Sequence, residues 1–151
     1  MIKSNILIDN NIWLDRIKNP KDYLKKKIIK LSKIIPKSKK KKYEISILLS
    51  SKKEIKELNK KFRKKNKASD VLSFPFWNKL TPKILKNDEI YLGDIAICFE
   101  IINGRAKNKN FKSEFDKAWV HGFLHLLGYD HNNEKNYKKM NNLEKKIINF
   151  I

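Results

Sequence analysis

One cysteine, three histidines, three arginines and 16 acidic residues are all that this chain of 151 residues has of those types, and each shortage excludes something. The lone Cys98 rules out an intrachain disulfide, and no apolar run approaches the roughly 18 residues that a membrane span needs. The opening MIKSNILIDNN lacks the basic-then-apolar order and the small-residue cleavage site of a secretory signal, so a reducing, cytoplasmic compartment is expected. No strongly amphipathic basic helix with Trp or Phe anchors is evident, which places an anionic membrane well behind nucleic acid as a partner. Neither an internal repeat nor a domain-sized break in composition divides the sequence. Its length suits one domain, residues 1–151, burying roughly two-thirds of its unfolded surface.

Lysine is in excess. Of 36 basic residues all but Arg16, Arg63 and Arg105 are lysine, leaving a net charge of +20 and a pI near 10.0. Abundant Lys, Ile and Asn point to A·T-rich codons, so part of this charge is composition. Codon drift that exchanges arginine for lysine does not by itself unbalance the sign. The surplus therefore also reads as the footprint of a phosphate-bearing partner, whose condensed counterions lysines displace.

The periodicities predict an α+β domain: a mixed sheet of about four strands packed with about four to five helices. Strands are expected at Asn5–Asp9, at Tyr43–Leu49 by alternation, at Asp70–Phe76 and at Ile90–Phe99. Pro75 ends the third strand or puts it on an edge, and Gly93-Asp94 marks a bulge or a close backbone approach in the fourth. Leu24, Ile28, Leu31 and Ile35, between Pro20 and Pro36, describe a basic amphipathic helix followed by a loop charge run, Ser38–Lys42. Ser51 with Glu54 has capping-box spacing ahead of a helix to about Arg63, and Ser113 with Asp116 suggests another through Leu127. Asn78–Glu89 reads as loop and Asn103–Asn110 as linker. A last helix from about Glu134 should turn Tyr137, Met140, Leu143 and Ile147 inward.

All three histidines fall within HGFLHLLGYDH, residues 121–131. His121 and His125, four apart on a helix, stack on one face about 6 Å apart along the axis. Gly128 sits where a left-handed residue commonly ends a helix, and Tyr129-Asp130 can turn His131 back as a third ligand. Three imidazoles suit one zinc ion with a position left open, the pattern of a catalytic rather than a structural site. Imidazole also suits nickel, copper and iron. Ordinary core and surface histidines are the alternative; the third histidine past a helix-ending glycine, with no other in the chain, favours the metal. The spacing also equals that of the H-E-x-x-H-x-x-G-x-x-H proteases. Gly122 stands where those enzymes need a glutamate base, which disfavours peptide hydrolysis, and its missing side chain would open space for a bulkier substrate.

The block from His121 to His131 resembles the signature of the YbeY family of bacterial metal-dependent endoribonucleases. Leu58-Asn59-Lys60-Lys61-Phe62-Arg63, Ser69-Asp70-Val71-Leu72-Ser73-Phe74-Pro75 and Leu92-Gly93-Asp94-Ile95 are similar to its other blocks in order and spacing. Asn66, Ala68-Ser69 and Asn141 depart from its usual residues. The resemblance implies an α+β fold, one zinc on His121, His125 and His131, and catalytic roles for Arg63, His121 and His125. It implies RNA as substrate, in 16S rRNA 3′-end maturation and ribosome quality control. The implied partners are the small ribosomal subunit with ribosomal proteins or an assembly GTPase, and no small-molecule cofactor beyond the metal.

Arg63 would hold a non-bridging phosphate oxygen through its planar fork; the alternative is a surface arginine satisfying the last helical carbonyls. Asp130 either orients a histidine or serves the turn. Asp94 and Cys98 are expected to be structural, and Trp77, in an expected loop beside Lys79, could stack on a base. Beside the nuclease stand two other readings: a ribosome assembly factor with a structural metal, and, further back, a metalloprotease.

Overall fold

The structure, a computed structural model, describes residues 1–35 and 41–151. Its regular elements are β1 (Ile2–Ile8), α1 (Pro20–Ile34), β2 (Lys42–Ser50), α2 (Lys52–Arg63), β3 (Val71–Pro75), β4 (Glu89–Cys98), α3 (Phe99–Arg105), α4 (Phe111–Leu126) and α5 (Glu134–Phe150). They form a single domain around one four-stranded mixed sheet, in the order β1-β2-β4-β3. The first three strands in that order run parallel, and β3 is antiparallel to β4. The expected architecture is the observed one. Pro36 and residues 38–40 of the Ser38–Lys42 charge run lie outside the described residues.

Alternation fixes which face of the sheet is covered. Tyr43, Ile45, Ile47 and Leu49 of β2 are buried in the main core with Leu24, Ile28 and Leu31 of α1 and Phe115, Trp119 and Phe123 of α4. The opposite face carries a smaller cluster, in which Ile55 of α2 meets Leu72, Ala96 and Cys98. At the bottom of the main core Trp13 is enclosed by Phe99, Phe111 and Phe115, and its indole N–H donates to the Ser50 carbonyl at 3.2 Å. Asp116 of α4, nearly fully buried, accepts from Tyr23 (2.9 Å), Lys27 (2.6 Å) and the Trp119 indole (3.0 Å). A buried carboxylate persists only with such partners, and these fasten α1 to α4.

β3 lies on the edge, and its sequence suits that position. In its register with β4 the backbone groups of Val71, Ser73 and Pro75 point outward. The Val71 N–H is met by Asp70 Oδ1, the Val71 carbonyl by Ser69 Oγ and the Ser73 carbonyl by Arg63. Pro75, which has no N–H, costs the ladder nothing there. Gly93 of β4, with φ of +135°, stands where a Cβ would lie 2.2 Å from the Phe74 carbonyl oxygen. That is the close backbone approach expected at Gly93-Asp94, and the neighbouring register shift between Glu44 and Ile45 is the bulge.

Three expectations need correction. The Asn103–Asn110 linker is largely helical: β4 stops at Cys98, α3 starts at Phe99 and a 3-10 turn covers Ala106–Asn108. Phe99 and Ile102 anchor α3 in the core, so tertiary packing overrides a polar local sequence. α4 begins two residues before Ser113, because Asn110 is its cap, accepting from the Lys112 and Ser113 N–H groups. Asn10 likewise caps a 3-10 turn, Asn11–Asp15, that carries Trp13. On α5, Met140 and Ile147 are buried and Leu143 packs partly, but Tyr137 is exposed.

Candidate metal centre

α4 delivers the first two histidines and its terminus delivers the third. Leu127 caps the helix after Leu126, Gly128 takes φ of +87°, its N–H donates to the His125 carbonyl (2.9 Å), and the Tyr129 N–H donates to the Leu124 carbonyl (3.0 Å). This paired closure satisfies the end of the helix and reverses the chain, which a residue with a Cβ resists at positive φ. His131 returns over the helix end. Its ring centroid lies 5.6 Å from that of His121 and 5.1 Å from that of His125, and one ligand atom from each of the three lies within 4.8 Å of the others.

His121 Nε2 and His125 Nε2 are 3.1 Å apart. Two nitrogens bound to one tetrahedral ion at about 2.0–2.1 Å would sit roughly 3.3 Å apart, so the pair is spaced for a shared metal. The donors are all neutral-capable nitrogens, a set suited to zinc and its neighbours. Burial, with the proximity of His121 and then His131, lowers the pKa of His125 from its ordinary 6.5. The imidazole is thereby held in the form that can ligate. The group could hold a metal ion.

Behind His121 stands a carboxylate the sequence reading passed over. Glu144 Oε2 lies 3.1 Å from His121 Nδ1. An Nδ1–H donating to it leaves the Nε2 lone pair facing His125 and the site. A signal for it existed: Glu144 falls among Met140, Leu143 and Ile147 on the stripe of α5 that packs inward, an acid where the pattern calls for an apolar residue. Asp130, one of the two ways open to it, serves the turn, accepting from the backbone N–H of His131 at 2.7 Å.

Gly122 does not open space for substrate. It is buried between α4 and the sheet, where a Cβ would meet Ile95 Cγ2 at 2.9 Å, Val71 Cγ2 at 3.1 Å and Ser73 Oγ at 3.2 Å. Its carbonyl accepts from Ser73 Oγ at 3.2 Å. The missing side chain lets the helix lie close on β3 and β4.

The three histidines open into a cavity of about 840 Å³ bounded by Arg63, Asp70, Arg105, Lys117 and Glu144 among others. Arg63 comes from the far side of the sheet, reaching round the β3 edge to donate from Nη2 to the Ser73 carbonyl (2.8 Å) over the Phe74 ring. It satisfies a strand carbonyl, not those of its own helix end. Arg105 pairs with Asp70 on the same wall. Asp94 lies outside the cavity and accepts from the Tyr91 hydroxyl, whereas Cys98 is fully buried, its thiol pKa pushed up by that burial. Trp77 is half-buried, with its indole N–H held by the Tyr91 carbonyl at 2.8 Å.

Comparison with known proteins agrees with this geometry. The model of the family described as endoribonuclease YbeY matches residues 8–151. An endoribonuclease YbeY of Pelagibacter ubique is 45% identical over all of this chain and 97% of its own length. Its namesake in Wigglesworthia glossinidia brevipalpis is 46% identical over 72% of this chain and 70% of its own. The solution structure of a Thermotoga maritima protein matches with a TM-score of 0.64 at 31% identity, covering 98% of this chain and 87% of that one. With a helix end that gathers three imidazoles and a match over nearly its whole length, the chain belongs to the endoribonuclease YbeY family.

Proposed function

We propose that the protein is a zinc-dependent endoribonuclease that prefers single strands and acts in the cytoplasm on the 3′ end of 16S rRNA and in ribosome quality control. His121, His125 and His131 are its metal ligands; Arg63, His121 and His125 are its catalytic residues. The observation that carries the reading is the convergence of three imidazoles and Arg63 on one cavity of a protein with a net charge of +20.

Bound there, zinc would supply Lewis acidity toward a phosphoryl oxygen and lower the pKa of a water from about 15.7 to about 7. The chain's own residues do the rest. Glu144 keeps the His121 proton on Nδ1, and burial keeps His125 neutral. Arg63 spends one of its five N–H donors on Ser73, and its remaining donors would hold a non-bridging phosphate oxygen and offset the charge that grows in the transition state. With Gly122 in the protease glutamate's place, RNA's own 2′-hydroxyl is the better nucleophile. The 2′-hydroxyl gives up its proton to solvent as its oxygen bonds to phosphorus, the P–O5′ bond breaks, the leaving 5′-oxygen takes up a proton from solvent, and the ends are a 2′,3′-cyclic phosphate and a 5′-hydroxyl.

The test is cleavage of an rRNA fragment carrying the immature 3′ end, by the protein and by a folded His121→Ala, His125→Ala variant on one gel. Loss of cleavage in the variant, with cyclic phosphate ends from the parent, is expected. Equal cleavage by both places the chemistry elsewhere. Binding without cleavage by either favours the assembly-factor reading.

A further inference from the structure

Two strongly exposed phenylalanines and a half-buried third lie together beside the cavity, apart from the exposed Tyr137 and Phe150 of α5. Phe62, at the end of α2, and Phe76, just past β3, are among the most exposed large apolar residues of the described chain, at 59% and 61%. Between them lies Phe74, whose ring is 5.5 Å from that of Phe62. Phe74 and Phe76, two apart in a locally extended chain, project on the same face of the sheet. Phe76 leans edge-on against Tyr91 (5.5 Å) and Trp77 (5.0 Å), which fix its ring without covering it. The other strongly exposed apolar side chains, such as Leu7 and Ile29, lie on other elements.

The ridge is flanked by positive charge. Lys61 Nζ lies 5.3 Å from the Phe62 ring centroid and the Arg63 guanidinium 5.7 Å from that of Phe74. Lys60, Lys64 and Lys65 are exposed beside them, with Asp94 and Glu44 the acidic neighbours at the Tyr91 end. Ridge and cavity meet at β3, because Arg63 and Pro75 border both. Rings interleaved with cations suit a strand of unpaired bases, which offers π-faces to the rings and phosphates to the cations.

We propose that Phe62, Phe74 and Phe76 form the platform on which single-stranded RNA emerging from the metal cavity stacks its bases. This rests on the nuclease reading for the direction of the strand, yet its test does not need cleavage. The probe is a fluorescein-labelled oligouridine with 2′-O-methyl sugars, which lacks the internal nucleophile, and binding to the full chain is followed by anisotropy across a salt series. Phe62→Ala and Phe76→Ala, both at exposed positions, should each weaken binding about 10-fold at constant salt slope, since a ring that stacks loses affinity without losing an ion contact. Phe62→Tyr and Phe76→Tyr should bind like the parent, and the leucine variants like the alanine ones.

Leucine variants that bind as tightly as the parent would overturn the platform and mark the ridge as an apolar contact for a protein. So would alanine variants with unchanged affinity. Ring-dependent binding in a protein that cleaves nothing would leave the platform standing and remove the nuclease reading. Cleavage with ring-independent binding would do the reverse.

Discussion

Glu144 shows how much one side chain governs at this site. It touches no place a metal would occupy, but its contact with His121 Nδ1 decides which nitrogen faces His125. Partners of this kind typically carry 10- to 100-fold in metal affinity. Glu144→Gln should therefore weaken zinc binding by about that factor, measured by competition with a chromophoric chelator, while the fold, followed by far-ultraviolet dichroism, is unchanged. An affinity equal to the parent's would mean that the backbone alone orients the ring. His125 gives the site a pH signature without metal. Burial, then His121 and His131, hold its folded pKa below 6.5, so between that value and 6.5 the unfolded chain binds more protons than the folded one. Stability must then fall as pH drops through that window and be insensitive to this group above it. Urea titrations in chelator at about pH 7 and about pH 5 should show a larger loss for the parent than for His125→Asn, which cannot titrate. Equal losses would place the acid sensitivity elsewhere.

At the scale of elements, what could be read in advance was what is local in sequence. The histidines lie within eleven positions, and helix period, Gly128 and the return of His131 are all consequences of adjacent residues, so the sequence contains the site's shape. β2 and the buried stripes of α1 and α4 were legible for the same reason. α3 was not, because seven residues with Asn103 and Gly104 have no helical preference until Phe99 and Ile102 are packed in the core. The pairings of Glu144 with His121 and Arg63 with Ser73 were also hidden, since they depend on α5 and α2 converging on α4 and β3. Gly93 stood between: its sequence announced a close approach without naming the neighbour, which is the β3 backbone at Phe74. A methyl group cannot be relieved there by rotating a side chain, and its φ of +135° is itself unfavourable for alanine. Gly93→Ala should cost about 3–5 kcal/mol and lower Tm by on the order of 10 °C. A drop of only a degree or two would show that β3 can move off β4 cheaply, and the Arg63 anchor with it.

For the whole molecule the open quantity is how much of the +20 charge is used. Codon composition would scatter lysines indifferently, and a phosphate-binding surface would make some of them count. The fold provides an internal control, because α1 packs against β1, at the opposite edge of the sheet from β3, and carries its own exposed Lys25, Lys26 and Lys30. Each lysine that meets a phosphate of a single strand adds about 0.7 to the slope of log affinity against log salt, whereas a distant one acts only through a field screened beyond roughly 10 Å at 0.1 M salt. Glutamine at Lys61, Lys64 and Lys65 should therefore flatten the slope by about 2, and glutamine at Lys25, Lys26 and Lys30 should leave it within error. Both sets change the net charge equally, so any difference between them belongs to position. Equal flattening would mean that RNA responds to the protein's total charge. In that case the direction of the strand would have to come from Arg105 and Lys117, which line the cavity with the histidines, and not from the lysines at the end of α2.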